Sequence, residues 1–173
     1  MEESRYPKFI YLFGLPAAGK NFAGRVLAEE FGYTFYDGDN DLTPEMRDAV
    51  RDERPFTSAM RDRFYDLLAG RIAELRAEHP RLAFCQATFK EQHRDLMWAR
   101  YPDVVFVLVV AEPEVRMARL ARGGNPVTVE YAQQIDSLFE RPSQPHFVIT
   151  NNDDREDVAR QLAALLDWFT APD

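Results

Sequence analysis

The seven residues from Gly14 to Lys20, GLPAAGK, constrain this chain more than any other stretch. They follow an apolar run, Lys8 to Phe13, and precede a helical pattern, which is the setting in which G-x-x-x-x-G-K closes around phosphate. The glycines let backbone N–H groups turn toward phosphate oxygens, the helix N-terminus adds positive potential, and Lys20 brings a mobile charge for the outer phosphates. Gly14, Pro16, Ala17, Ala18, Gly19, Lys20, Asn21 and Phe22 are therefore the candidate nucleotide-binding residues, with Pro16 stiffening the turn. The plain alternative is a glycine-capped turn with a surface lysine. One position departs from the usual pattern: Asn21 stands where a Ser or Thr hydroxyl ordinarily ligates Mg²⁺. A hard cation also accepts an amide carbonyl oxygen, so Asn21 is a candidate metal ligand, and capping of the helix is its other reading.

Short apolar runs alternate with longer amphipathic segments on both sides of this loop, a pattern that implies a parallel sheet covered by helices on both faces. The strand candidates are Lys8 to Phe13, Thr34 to Tyr36, Leu82 to Gln86, Val104 to Val110 and Phe147 to Ile149. Phe22, Val26, Leu27 and Phe31 form one helix face, and Met60, Phe64, Leu67, Leu68, Ile72 and Leu75 another. A closing helix carries Val158, Leu162, Leu165, Leu166 and Phe169, with the preceding NNDD able to cap its start. The expected fold class is α/β with a P-loop type five-stranded parallel sheet. All 173 residues are expected to form one domain, with RGGNP, Arg122 to Pro126, as a loop within it.

Charge narrows the partners. With 21 basic against 29 acidic residues the formal net charge is -8, which disfavours nucleic acid, whose binding rests on Lys and Arg displacing counterions from phosphates. A small-molecule partner is expected. The longest apolar run, VVFVLVVA, is far short of the roughly 20 residues a membrane-spanning helix needs, and MEESRYPKF has no apolar core after a basic start. The single cysteine, Cys85 in LAFCQA, reads as a buried reduced thiol, which suits a reducing cytoplasm.

In FYDGDND, Asp37 and Asp39 follow the second strand and so belong at the same carboxyl edge of the sheet as the phosphate loop, where ligands of open α/β sheets bind. Near bound ATP one carboxylate can hold Mg²⁺ and the other can accept a proton from an attacking hydroxyl. Asp, Gly and Asn also make an ordinary acidic turn, and the phosphate loop tips the balance toward chemistry.

With loop, DGD and following segment together, the chain resembles the gluconokinase-like family of small P-loop sugar-acid kinases, relatives of the shikimate kinases. The resemblance runs over most of the chain. It implies ATP and Mg²⁺, a substrate-binding helical segment after the second strand, a lid at about residues 119–130, and a possible homodimer. It implies that Asp37 belongs to the metal shell and Asp39 sits by the reacting hydroxyl. RPFTSAMR resembles the family's G-x-P-L-x-D-x-D-R, so Pro55 matches and Arg61 takes the place of the arginine that grips the acid substrate, a role its forked guanidinium suits. CQATFKEQHRD resembles the family's C-S-A-L-K…R-D, with Gln86 and Thr88 facing substrate. Arg119 and Arg122 in RLARGGN match lid arginines that stabilise the transferring phosphoryl group, with Gly123 and Gly124 as a hinge or a helix C-cap turn. The family's His, Asn and Lys after DGD are Leu42, Met46 and Ala49 here, and the acidic residues before Arg61 are Thr57, Ser58 and Ala59. The expected activity is transfer of the γ-phosphoryl group of ATP to a hydroxyl of a gluconate- or shikimate-like carbohydrate acid. The alternatives are a nucleotide-binding module with little or no turnover, or a kinase of a nucleoside or other metabolite.

Overall fold

The structure, a computed structural model, describes residues 5–171. The first four residues of the N-terminal stretch discussed above and the last two of the chain lie outside the described residues. Five strands, β1 (Phe9–Phe13), β2 (Thr34–Asp37), β3 (Leu82–Cys85), β4 (Val105–Val110) and β5 (His146–Thr150), form one sheet in the order β2-β3-β1-β4-β5. All four pairings are parallel. Each expected strand is present, with no end shifted by more than one residue.

Alternation along β1 explains the two layers of helices. Its five residues are all buried, so a strand that is apolar without interruption feeds a core on each face. Ile10 and Leu12 join Val26 and Leu27 of α1 (Lys20–Phe31) and Val158 and Leu162 of α7 (Arg155–Thr170). Phe9, Tyr11 and Phe13 join Phe64, Leu68 and Ile72 of α3 (Ser58–Glu78) on the opposite face. Leu67, expected on that same helix face, is turned outward and is 43% exposed, since the four-residue steps from Phe64 through Leu68 to Ile72 already fill the sheet side. Asp154 caps α7 by accepting from the Asp157 N–H, as the NNDD cluster implied.

Four more helices complete the second layer and the rim of the sheet. These are α2 (Pro44–Arg51), capped by Thr43, α4 (Glu91–Arg100), and the pair α5 (Pro113–Ala121) and α6 (Val129–Asp136). Between α5 and α6 the chain turns at Gly123 and Gly124, both at φ 81, where an L side chain would be strained. The Gly123 N–H bonds the Leu120 carbonyl, so the pair ends α5 as a C-cap turn. In α4, Arg94 is fully buried. It donates to the carbonyls of Thr88 and Glu140 and to Gln144 Oε1, and lies against the rings of Phe13 and Phe139. It thereby ties the turn after β3 to the segment that follows α6.

Candidate active site

Parallel register sets the site. Asp37 at the end of β2 lies level with Cys85 at the end of β3, and Cys85 lies level with Leu12, two residues before the loop. The turns after β1, β2 and β3 therefore open on one carboxyl edge, and a cavity of about 1130 Å³ lies there, lined by loop, DGD turn, α2, α3 and α6.

The loop is built as a phosphate cradle. Gly19 sits at φ 92 and caps α1 without any side-chain bond to the first-turn N–H groups, so these donors are not consumed by a cap. Gly14 sits at φ 144, and a Cβ there would lie 2.4 Å from the Val109 carbonyl oxygen, a backbone contact that cannot yield. Two arginines of α5 hold the loop from behind: Arg116 Nε donates to the Pro16 carbonyl at 3.0 Å, and Arg119 donates to the Ala17 carbonyl at 2.8 Å. Because the peptide is planar and trans, fixing the Pro16 carbonyl toward Arg116 points the Ala17 N–H the opposite way.

Arg116 is buried and makes a fork with Asp136 of α6, both bonds at 2.9 Å. This clamp joins loop, α5 and α6, and the sequence reading missed it. The signal available was its place three residues before Arg119, on the same helix face. Arg116→Ala leaves a partly buried Asp136 and the Pro16 carbonyl unpaired. A loss of about 3 kcal/mol in unfolding free energy is expected, read by urea denaturation, together with weaker nucleotide binding.

The remaining expected residues fall as follows. Lys20 Nζ donates to the carbonyls of Gly14 and Leu15, and burial lowers its pKa, a shift that Asp39 opposes. Asn21 caps nothing. Its amide donates to Asp37 Oδ2 at 2.7 Å, while Asp37 Oδ1 accepts the Asp39 N–H at 2.9 Å. Asp37 is thus also the cap of the short turn Gly38–Asp41, so the acidic-turn reading and the site reading describe the same residue. Asp39 keeps surface toward the cavity, yet burial and then Asp37 push its carboxyl above the ordinary range, with Lys20, Gln86 and Arg47 pulling it back.

Gln86 is buried on the cavity wall, and its Oε1 has no partner. Thr88 also touches the wall, but its hydroxyl is shared with Tyr11 Oη at 2.7 Å and bonds the Gln86 carbonyl, so it shapes the turn rather than offering a free donor. Arg61 lines the cavity at the first turn of α3. It bonds the Phe56 carbonyl, while its buried Nε has no partner.

The two arginines assigned to a lid separate. Arg119 belongs to the last turn of α5 and is taken up by Ala17, Asn151 and Asp153. Arg122 does not line the cavity. At the C-terminal end of α5 its side chain is 68% exposed and 3.9 Å from Asp153. The segment over the cavity is Gly124 to Val127 with the start of α6, and it is fastened across the mouth by Thr128 to Glu53 and by Tyr131 to the Arg54 carbonyl.

The fit to Mg²⁺ is good. Asn21 and Asp37 offer hard oxygen donors beside the phosphate loop, and Mg²⁺ ordinarily takes one or two protein oxygens together with phosphate and water rather than a full protein cage. Among the described residues no three His, Cys, Asp or Glu side chains gather as such a cage.

Comparison with known proteins places this geometry. Over 92% of its length the chain superposes on 94% of a sugar kinase from Janibacter sp. HTCC2649, with a TM-score of 0.82 and 20% identity. Over 97% it superposes on 99% of a gluconokinase from Sinorhizobium meliloti 1021, with a TM-score of 0.78 and 22% identity. A stretch of 42 residues is 48% identical to a shikimate kinase from Thiobacillus denitrificans, covering 24% of this chain and 22% of that protein. No family model matches the chain. The fold is that of the gluconokinase- and shikimate-kinase-like P-loop kinases, as the sequence resemblance implied. Among the described residues no helix is long and apolar enough to cross a membrane.

Proposed function

We propose that the protein is a phosphotransferase that moves the γ-phosphoryl group of ATP to a hydroxyl of a small acid, with Mg²⁺ as cofactor. One observation carries the reading: Lys20, the Asn21–Asp37 pair and Asp39 meet at a single cavity on the carboxyl edge of the sheet. The kinase neighbours support the same class of reaction.

The loop N–H groups and Lys20 hold the outer phosphates, with Lys20 exchanging its loop carbonyls for phosphate oxygens. Asn21 and Asp37 would hold Mg²⁺, which would supply positive charge against that of the phosphates. Asp39 orients the acceptor hydroxyl. As the acceptor oxygen bonds to the γ-phosphorus, the bond to the β–γ bridging oxygen breaks, ADP leaves, and the hydroxyl proton passes to the Asp39 carboxylate. Arg61 holds the acid group of the acceptor. Arg119 acts in this reading by holding the loop. The segment fastened by Glu53 and Tyr131 excludes water.

The test is ATP consumption with Mg²⁺ over a panel of hydroxy acids, from gluconate and shikimate to aromatic ones, with Lys20→Ala as blank. Turnover above the blank on at least one acid is expected. Nucleotide binding without turnover on any acid moves the assignment to a nucleotide-binding module.

A further inference from the structure

The departure at Asn21 is built into the fold around it. Asn21 follows Lys20 in the first turn of α1 and lines the cavity, and contacts from β2 and β3 fix where it stands. The Cys85 thiol at the end of β3 donates to the Lys20 carbonyl at 3.3 Å, which holds the Lys20–Asn21 peptide. Along the same helix, a Cβ added to Gly24 would lie 2.4 Å from the Phe35 ring and 3.0 Å from Cys85 Sγ, so α1 is pressed onto β2 and β3 there. Asp37, level with Cys85 in the sheet, takes the Asn21 amide on Oδ2 at 2.7 Å and the Asp39 N–H on Oδ1 at 2.9 Å. Both ends of the Asn21 side chain are therefore anchored to the sheet.

This anchoring decides which atom can meet a cation. A carboxylate only accepts, so the amide nitrogen faces Asp37 and the carbonyl Oδ1 is left for metal. A Ser or Thr at this place would use one oxygen for both tasks, donating its hydrogen to the carboxylate and a lone pair to the metal. Asn21 divides the tasks between two atoms of one rigid plane. With the nitrogen tied to Asp37 and the backbone tied to Cys85, the carbonyl oxygen stands where the protein puts it, and the cation must come to it. Mg²⁺ accepts such oxygens, but it asks for near-octahedral ligands at about 2.0–2.1 Å and gives up water reluctantly, so a fixed oxygen costs it most. Mn²⁺ is larger, takes the same carbonyl, carboxylate and water oxygens, and tolerates more distorted angles.

We infer that Asn21 sets the metal preference of the site, so that the nucleotide is held more tightly as its Mn²⁺ complex than as its Mg²⁺ complex. The inference rests on the phosphate-loop part of the reading above and needs no knowledge of the acceptor.

The test is calorimetric binding of ADP to the full chain, with Mg²⁺ or Mn²⁺ at levels that complex all the nucleotide, for the parent, Asn21→Thr and Asn21→Ser. The parent is expected to bind the Mn²⁺ complex about tenfold more tightly than the Mg²⁺ complex, the scale on which small changes around a metal alter its affinity. In the two hydroxyl variants this preference should be lost, through tighter binding of the Mg²⁺ complex. Comparing parent with variants removes the different affinities of the two ions for free ADP. The Mn²⁺ EPR signal should count one bound ion per chain in the presence of ADP. Melting temperature identifies the folded variants, and either one suffices for the comparison. The same preference in parent and folded variant, or a parent that favours the Mg²⁺ complex, overturns the inference and leaves the phosphate-loop reading standing. No ADP binding by the parent with either ion overturns both.

Discussion

Lys20→Ala is expected to lose about 10³-fold or more in turnover while the protein still folds. A preorganised donor aimed at developing charge is worth about 10²–10³-fold in other active sites, and here the donor carries a full charge. The fold should tolerate the change because Lys20 has no ion-pair partner within bonding distance: its bonds go to the carbonyls of Gly14 and Leu15, and its ammonium is already disfavoured by burial. A stability change within about 1 kcal/mol, or about 2–4 °C in melting temperature, is therefore expected. Thermal denaturation beside a coupled ADP-release assay checks both halves. A fully active variant contradicts the phosphate-loop assignment, and an unfolded one contradicts the structural claim.

Asp39→Asn should lower turnover by about 10²–10⁴-fold, the range for loss of a positioned general base. The pH dependence separates this role from mere positioning. The active form of Asp39 is the carboxylate, and its pKa is raised above 3.8, first by burial and then by Asp37. Activity must then fall as pH drops through that raised value, so kcat/KM begins to decline at higher pH than an ordinary aspartate would give. In Asp39→Asn this limb disappears. Ionisation of the nucleotide's own phosphates is common to parent and variant, so the difference between the two profiles reports Asp39. An unchanged acid limb in the variant assigns the proton transfer elsewhere.

The sheet was legible because strands buried on both faces are apolar without a break, which is how FIYLF and VFVLVV read. The loop was legible because its glycine spacing, the strand before it and the helix after it agree. The inward-facing arginines were not. Arg94 and Arg116 are buried against carbonyls and acids far away in sequence, such as Glu140 for the first and Pro16 for the second, and a local pattern can at most mark the helix face, not the distant backbone that the charge serves. The same holds for Arg119, which reads as a phosphoryl-reaching arginine and is instead committed to Ala17 and Asn151. Asn21 shows the opposite case. It looked like a defect in the motif, and its partner, Asp37, lies 16 residues on at the end of β2. The residue that departs from the pattern is joined to the carboxylate with which it would share the metal.

Titration of ATP into the protein with and without Mg²⁺, beside Lys20→Ala, tests the central claim without knowledge of the acceptor. Saturable one-to-one binding, tighter with Mg²⁺ and lost in a folded Lys20→Ala, is the result expected. No binding by the parent, or equal binding by parent and variant, would contradict it.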